Sequence, residues 1–425
     1  MGKSPNTKLD HSTDKTSRKS HSKNQSVMPE ELGELKVKPI PEIAGGLPAI
    51  KSSLEHLHSE TGIIRGTKLM LKANQSSGFD CPGCAWPDPD EKRSFAEFCE
   101  NGAKAIAEEA TQKRITPDFF AKHSVDELLG KEDYWLGKQG RLTHPMALSA
   151  DSKYYKPISW QQSFQIIHDQ LKKNNSPHES IFYTSGRTSN ETAFLYQLMV
   201  RVLGTNNLPD CSNMCHESSG QALKQSIGLG KGTVTLDDFE IADLIIIIGQ
   251  NPGTNHPRML SSLQSAARNG AAIITVNPLL ETANRRFQHP QEPWSFLSSG
   301  TPLSHLHLPV RINGDVAAFQ GINKLLLEMD QERSTLDWDF LDSYCSGYRD
   351  YFKKLTTTSW DQILESSGLL IDHIHQTVEL TLKSKKIICC WAMGLTQHEN
   401  AIANIKEVVH FLAMRGNLGR PGAGV

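Results

Sequence analysis

The sequence predicts an α/β protein built on an open parallel sheet, and three observations carry that expectation. "ADLIIIIGQNPG" is a continuous β-branched run of the kind found in strands covered on both faces. The helix-spaced "PRMLSSLQSAARNG" and a second apolar run, "AAIITVNPL", follow it, and strand, loop, helix, strand is the order of a parallel sheet with right-handed crossovers. Three presumed strands end in polar loops that contain glycine: "YTSGRTSNE", "IIGQNPGTNHPR" and "WAMGLTQHEN".

Taken in order, residues 1 to about 50 are rich in Ser, Lys, His and Pro and read as a disordered tail and entry segment. Residues 51–155 read as irregular, with one helix expected across "RSFAEFCENGAKAIAEEA" from Phe95, Phe98, Ala105 and Ile106, interrupted by Gly102. From 156 onward the alternating pattern begins. Ser159 is the expected N-cap of a helix with Phe164, Ile167 and Leu171 at helical spacing. "SIFYTSGRTS" reads as a strand, and "SNETAFLYQLMVRVLG" as a helix with Phe194, Leu198 and Val202 on one face. After about residue 330, "DWDFLDSYCSGYRDYFKKL" reads as helical. Ile387 to Trp391 then reads as a strand, "MGLTQ" as its exit loop, and Ile402, Ile405, Val409 and Leu412 as the buried stripe of a helix. The sequence stops inside "GRPGAGV", a glycine-rich loop, which predicts the front part of a longer polypeptide.

Bulk properties narrow the function classes. With 425 residues, two or three domains are expected. The 45 basic and 47 acidic residues nearly cancel, so no nucleic-acid footprint is visible. The longest apolar run, "LIIIIG", is far short of the roughly 20 residues of a membrane span. The N-terminus has neither an apolar signal core nor twin arginines, and Asn6 stands where myristoylation wants Ser or Thr, so a cytoplasmic setting is expected. Eight cysteines without a secretory signal favour thiols and metal ligands over a disulfide framework.

Ligands of open α/β sheets sit beyond the carboxyl ends of strands, so the three glycine loops suggest a nucleotide-bearing cofactor. None of them reads G-x-G-x-x-G, and each glycine is also explained by a strand-to-helix turn. In "NNLPDCSNMCHESSG", Cys211 and Cys215 are four apart with His216 adjacent, and the polar context places them on a loop. They are candidates for metal ligation or nucleophilic work, set against a packed thiol and an incidental histidine. Cys345, Cys389 and Cys390 read as core thiols. In "FDCPGCAWPDP", Cys81 and Cys84 are followed by Pro87 and Pro89, which argue against the helix a thioredoxin-type switch needs. Zinc wants a second pair nearby, and the next cysteine is the single Cys99. An iron–sulfur cluster commonly takes four thiolates, and these three leave the count one short.

Taken together, "GFDCPGCAWPDP", "CENGAKA", "GRLTHPM", "YTSGRTSNETAFLYQ", "GTNNLPDCSNMCHESSG", "GKGTVTLDDFE", "ADLIIIIGQNPGTNHPRML" and "GNLGRPGAGV" resemble the molybdopterin oxidoreductase family, in its formate-dehydrogenase-like alpha-subunit branch. The resemblance runs from about residue 50 to the last residue. It implies parallel α/β dinucleotide-binding domains (156–425) behind an irregular N-terminal iron–sulfur segment (51–155). It implies molybdenum, or tungsten, between two molybdopterin guanine dinucleotides, with Gly249, Asn251, Pro252 and Asn277 as cofactor-binding residues. Cys81, Cys84 and Cys99 would hold a 4Fe-4S cluster, Cys215 would ligate the metal, and His216 would accept the substrate proton. Lys104 is the candidate relay between cluster and pterin, although it stands five residues after Cys99 where the family has two.

Three departures follow. The fourth cluster ligand is missing, leaving Asp80, another non-cysteine group, or a labile cluster. The arginine beside the substrate and the domain completing the dinucleotide sites would both lie past Val425. The implied function is a two-electron oxidation of a small substrate, formate foremost, with electrons passing to a separate acceptor protein or subunit. The alternatives are a relative acting on another small anion or oxo compound, and a zinc-stabilised binding protein using Cys81, Cys84, Cys211 and Cys215.

Overall fold

The computed structural model describes residues 40–425 apart from 85, 91–92, 186–187 and 210 and the side chains of 211–214. The expected tail, residues 1–39, lies outside the described residues. Two compact units result: 111–173 forms one, and 40–110 with 174–425 forms the other. The expected iron–sulfur segment therefore divides at residue 110, and its cysteine-bearing part belongs to the same unit as the α/β region. Helix α1 (Gly46–Thr61) also runs across the expected boundary at residue 50.

The larger unit is organised by a four-stranded parallel sheet. Its strands are β1 (Leu244–Ile248), β2 (Ala272–Val276), β3 (Leu306–Leu308) and β4 (Ile387–Trp391), in the order β3-β2-β1-β4. All three pairings are parallel, with Ile248 opposite both Val276 and Trp391. Every β1 side chain is buried, as a run without polar alternation requires. Period-two geometry divides the run between two cores. Leu244, Ile246 and Ile248 pack with Phe319, Ile322, Ile405 and Phe411, whereas Ile245 and Ile247 pack with Met259, Leu263 and Phe287. The strand order reverses at β1, where the chain steps outward through β2 and β3 and returns on the other side as β4. That reversal is a topological switch point, the place where exit loops part to leave a crevice.

Most expected elements form. The Ser159 cap is a full capping box with Gln162, opening the helix Trp160–Leu171 of the smaller unit. Helix α3 (Asn190–Val202) is capped by Ser189, α5 (Met259–Arg268) links β1 to β2, and α7 (Ala401–Met414) buries Ile405, Val409 and Leu412. Several expectations are corrected. Among the described residues "SIFYT" forms no strand: Phe182 makes one backbone bond there, to Asn207 of a neighbouring loop, with no described strand edge beside it. The helix around Cys99 starts only at Glu100, as α2 (Glu100–Glu109), which leaves Phe95 81% exposed before it. Phe164, Ile167, Phe194, Leu198 and Val202 are exposed, since helical spacing says which residues share a face and not that anything covers it. Ile402 is partly exposed, and "MGLTQ" contains one helical turn, Met393–Thr396. Cys389 is fully buried, while Cys345 and Cys390 are only partly so. The long helix α6 (Asp315–Arg333) was not expected; its buried positions include Asn323 and Lys324, which mask the apolar stripe. Among the described residues no helix is long and apolar enough to cross a membrane.

At the switch point the exit loops of β1 and β4 meet backbone to backbone. A Cβ on Gly394 would lie 2.1 Å from the Gly249 carbonyl oxygen, and one on Gly249 would lie 3.0 Å from Gly394, where Gly249 also has a φ of +57°. Gly394→Ala should therefore destabilise the unit by about 1–3 kcal/mol, as overpacking against backbone does. Thermal unfolding of the variant checks this; an unchanged midpoint would mean that the two loops are not in contact.

Candidate functional site

Two groups of chemistry-bearing side chains lie in the larger unit. The first is at the switch point. Gly249 ends β1; Asn251 caps the turn Pro252–Asn255 by accepting from the Thr254 amide at 3.3 Å, and Pro252 is its buried first residue. Asn277 follows β2, and its backbone N–H donates to the Leu308 carbonyl at 3.1 Å. All four expected cofactor residues therefore stand at carboxyl ends of neighbouring parallel strands.

Cys215 and His216 lie not on a loop, as expected, but in the first two turns of helix α4 (Cys211–Ile227). "CSNMCHESS" holds no proline, its Ser and Asn residues suit a first helical turn, and Ala222 and Leu223 bury further along. Two hydrogen bonds tie α4 to the β4 exit. Ser218 Oγ donates to the Thr396 carbonyl at 3.4 Å, and Trp391 Nε1 donates to Ser219 Oγ at 3.0 Å. Ser219 Oγ in turn lies 3.3 Å from His216 Nδ1, which orients the ring. Burial holds His216 below the ordinary imidazole range, and it holds His256, on the β1 exit loop, below that range as well. A positive His216 also opposes protonation of His256, so the two imidazoles are electrostatic neighbours.

Polar atoms here want partners. Gln250, beside Gly249 and 6% exposed, reaches His256 through Nε2 at 3.4 Å, but its buried Oε1 has no hydrogen-bond partner among the described residues. Both amide atoms of Asn284, 2% exposed in the turn Thr282–Arg285 that packs on Pro252–Asn255, are likewise unmatched. Orphaned buried amides are costly unless something polar meets them, which fits a polar ligand at these strand ends. Asp315, at the start of α6, is a buried carboxyl that the sequence reading missed. Burial pushes it up to about 6, against the opposing influence of His398. An acidic residue opening a helix directly after a strand-and-glycine loop was the available signal.

The second group surrounds a cavity of about 440 Å³ whose wall includes Cys81, Cys84 and Cys99. Cys99 caps α2, its Sγ accepting from the Gly102 amide at 3.3 Å, and Cys81 Sγ accepts from the Gly83 amide at 3.4 Å. A Cβ on Gly102 would stand 2.9 Å from Cys81 Sγ, so glycine is what lets α2 approach the thiols. Burial pushes the Cys99 thiol up to about 11; the Gly102 amide works the other way, and Cys84 and Cys81 add to the rise. Ligation there must displace a proton. Among the described residues, no three His, Cys, Asp or Glu side chains close on one point as a single metal ion requires. The thiols border a space, which suits a polynuclear group better than zinc. Lys104 is also on the wall, paired with Glu100 at 2.6 Å. Asp80 is exposed and not on it, and neither is Cys215.

Sequence reasoning also missed Arg258, which joins the two groups. It lies at the end of the β1 exit loop and lines the cysteine cavity. It pairs with Asp88 at 2.6 Å and Glu97 at 2.8 Å, both on the cysteine-bearing segment. Burial works against its charge, yet the two carboxylates outweigh burial and raise its pKa. Asn101 Nδ2 adds a bond to the Thr254 carbonyl at 2.6 Å.

The chain is similar to known proteins over most of its length. The family model described as molybdopterin oxidoreductase matches residues 141–425. An uncharacterized oxidoreductase of Mycobacterium tuberculosis is 50% identical over 384 residues, covering 90% of this chain and 49% of that protein. Protein YdeP of Escherichia coli is 46% identical over 389 residues, covering 90% of this chain and 51% of that one. Formate dehydrogenase H of Escherichia coli is 26% identical over 291 residues, 67% of this chain and 38% of that one. Acetylene hydratase from Pelobacter acetylenicus shares the fold, with a TM-score of 0.51 at 18% identity over 66% of this chain and 36% of that one. The chain spans about half the length of YdeP and the mycobacterial oxidoreductase.

Two outcomes are expected. Arg258→Met should cost about 3 kcal/mol of unfolding stability, because Asp88 and Glu97 are left without their cation, and Arg258→Lys should cost less; chemical denaturation of the three proteins measures both. Asp315 has a folded-state pKa above the ordinary carboxyl value, so its contribution to stability is complete below about pH 4 and is lost as pH rises through about 6. Asp315→Asn should flatten that decline and gain about 2 kcal/mol at pH 7, read from unfolding curves between pH 4 and pH 7.

Proposed function

We propose, for a chain that belongs to the molybdopterin oxidoreductase family, that it forms part of a catalytic alpha subunit oxidising a small substrate by two electrons, formate to carbon dioxide foremost. Family membership implies an oxidoreductase with a molybdenum or tungsten pterin cofactor. In this reading the cofactor is a bis(molybdopterin guanine dinucleotide), a 4Fe-4S cluster carries electrons onward, and a separate protein or subunit receives them in a cytoplasmic setting. The observation that supports it most is the tie between α4, bearing Cys215 and His216, and the exit of β4, with His256 of the β1 exit loop as neighbour to His216. It supports a thiol and a base acting at the crevice that the sheet topology reserves for ligands.

When bound, the cofactor supplies a metal able to take up two electrons from substrate. Cys215 offers that metal a soft thiolate. His216, neutral at pH 7 because burial lowers its pKa, is able to accept a proton, and Ser219 and Trp391 fix the ring that does so. Gly249 leaves room for close approach, while Asn251, Pro252 and Asn277 shape the strand ends for a dinucleotide, where Gln250 Oε1 and the Asn284 amide would find partners. Cys81, Cys84 and Cys99 would hold the cluster, and Lys104, on the wall of the same cavity, would be the relay candidate.

In full-length protein purified without oxygen, His216→Gln should lower formate-dependent reduction of a dye by about 10²–10⁴-fold with molybdenum or tungsten content unchanged. Cys215→Ser should abolish turnover, and full activity in that variant would remove Cys215 as the metal ligand. Turnover of another small anion or oxo compound, with none of formate, would select the other substrate class. Zinc in place of molybdenum, tungsten and iron would overturn the oxidoreductase reading.

A further inference from the structure

The thiols around the cysteine cavity come from two sequence neighbourhoods, the loop with Cys81 and Cys84 and the cap of α2 with Cys99. The positions of the other cysteines matter as much. Cys345 borders a different cavity, Cys389 and Cys390 lie on β4, and Cys215 lies on α4 away from this wall. Of the eight cysteines, that leaves Cys211 for experiment to place. Among the described residues, the non-thiol wall offers little in exchange. Lys104 and Arg258 are cations without an acceptor atom, and both are engaged by carboxylates. Asn74 uses both ends of its amide, with Oδ1 accepting from the Cys81 amide at 2.7 Å and Nδ2 donating to the Glu97 carbonyl at 2.6 Å. Asn101 donates Nδ2 to the Thr254 carbonyl and has only a neutral amide oxygen to offer, and the Glu108 carboxylate is exposed at the rim, so neither matches a thiolate as an iron donor.

We propose that this is a three-thiolate cluster site, in which Cys81, Cys84 and Cys99 each hold one iron of a cuboidal 4Fe-4S cluster and the fourth iron takes an exchangeable oxygen donor, water or hydroxide. The proposal rests on the cluster reading above and deepens it. Thiolates bind iron far more durably than water does, so the fourth iron is the one that leaves on oxidation. The step balances: [4Fe–4S]²⁺ gives [3Fe–4S]⁺, Fe²⁺ and one electron, and the electron reduces one ferricyanide. The three Cys–Fe bonds remain, and the only bonds broken join the departing iron to cluster sulfides and to its oxygen ligand. Added Fe²⁺ with a reductant reverses it. The two amide–thiolate hydrogen bonds and the amino end of α2 favour the negative charge of the remaining three-thiolate cluster.

The test uses the full-length holoprotein purified without oxygen, with iron and molybdenum or tungsten counted in the same sample. One equivalent of ferricyanide should release about one iron in four and produce the electron paramagnetic resonance signal of a 3Fe cluster, and Fe²⁺ with dithionite should restore the original state. Cys211→Ser should respond as wild type does, whereas Cys99→Ser should lose iron. Retention of all four irons with no 3Fe signal overturns the proposal, as does a Cys211→Ser variant that loses iron like Cys99→Ser. Either result, in protein that holds molybdenum or tungsten, leaves the functional reading standing. Protein with neither iron nor molybdenum or tungsten would sink that reading and this proposal together.

Discussion

The exclusion of water from both faces of β1 is the constraint on which the rest depends. Five consecutive aliphatic side chains, none more than 1% exposed, feed two separate cores. Burying each is worth about 1.5–3 kcal/mol, and no other five-residue stretch of the described chain is buried so completely at every position while contacting both cores. A strand apolar on both sides has to be central, so β2 and β4 flank it and the helices that cover the sheet are determined in turn. Once β1 is central and its neighbours are parallel, their carboxyl ends lie along one edge. The crevice at that edge follows from the core.

Electrostatics does a different job. The pairing of Arg258 with Asp88 and Glu97 is partly buried, and such pairs roughly break even against apolar packing. Its contribution is geometric. The β1 exit loop, which carries Gly249 and Asn251, is held to the segment that carries Cys81, Cys84 and Cys99, and Asn101 repeats the link. Two sites with different chemistry are thus kept in register by a residue that belongs to neither motif. Backbone contact between Gly249 and Gly394 performs the same service between the two exit loops, because only glycine lets main chains come so near.

Each candidate site also presents its side chains in a way that suits the proposed chemistry. At the cysteine cavity burial pushes the Cys99 thiol up, so it keeps its proton until something replaces it, and amide N–H groups wait beside the sulfurs of Cys81 and Cys99. At the switch point burial holds His216 and His256 below the ordinary imidazole range, and among the described residues Gln250 Oε1 and both amide atoms of Asn284 lack hydrogen-bond partners, a combination that an apolar ligand would not satisfy. The hydrophobic core tolerates these polar costs because they sit at the sheet's edge and not within it.

Local order was written in the sequence by itself: the β-branched run of β1, the Ser159 cap, the glycine loops, the stripe of α7, and the cysteine and histidine pairs whose resemblance named the family. These are legible because each depends on residues within a few positions of one another. Strand order β3-β2-β1-β4, the meeting of Cys99 with Cys81 and Cys84 around one cavity, and the seating of α4 against the β4 exit were decided only by tertiary structure. Arg258, Gln250 and Asp315 look ordinary in sequence, since burial and distant partners make them unusual, and neither can be read from spacing. The same reason explains the misreadings. "SIFYT" has the composition of a strand but joins no edge among the described residues, and Phe95, Phe194 and Val202 have helical or apolar signatures yet lie exposed.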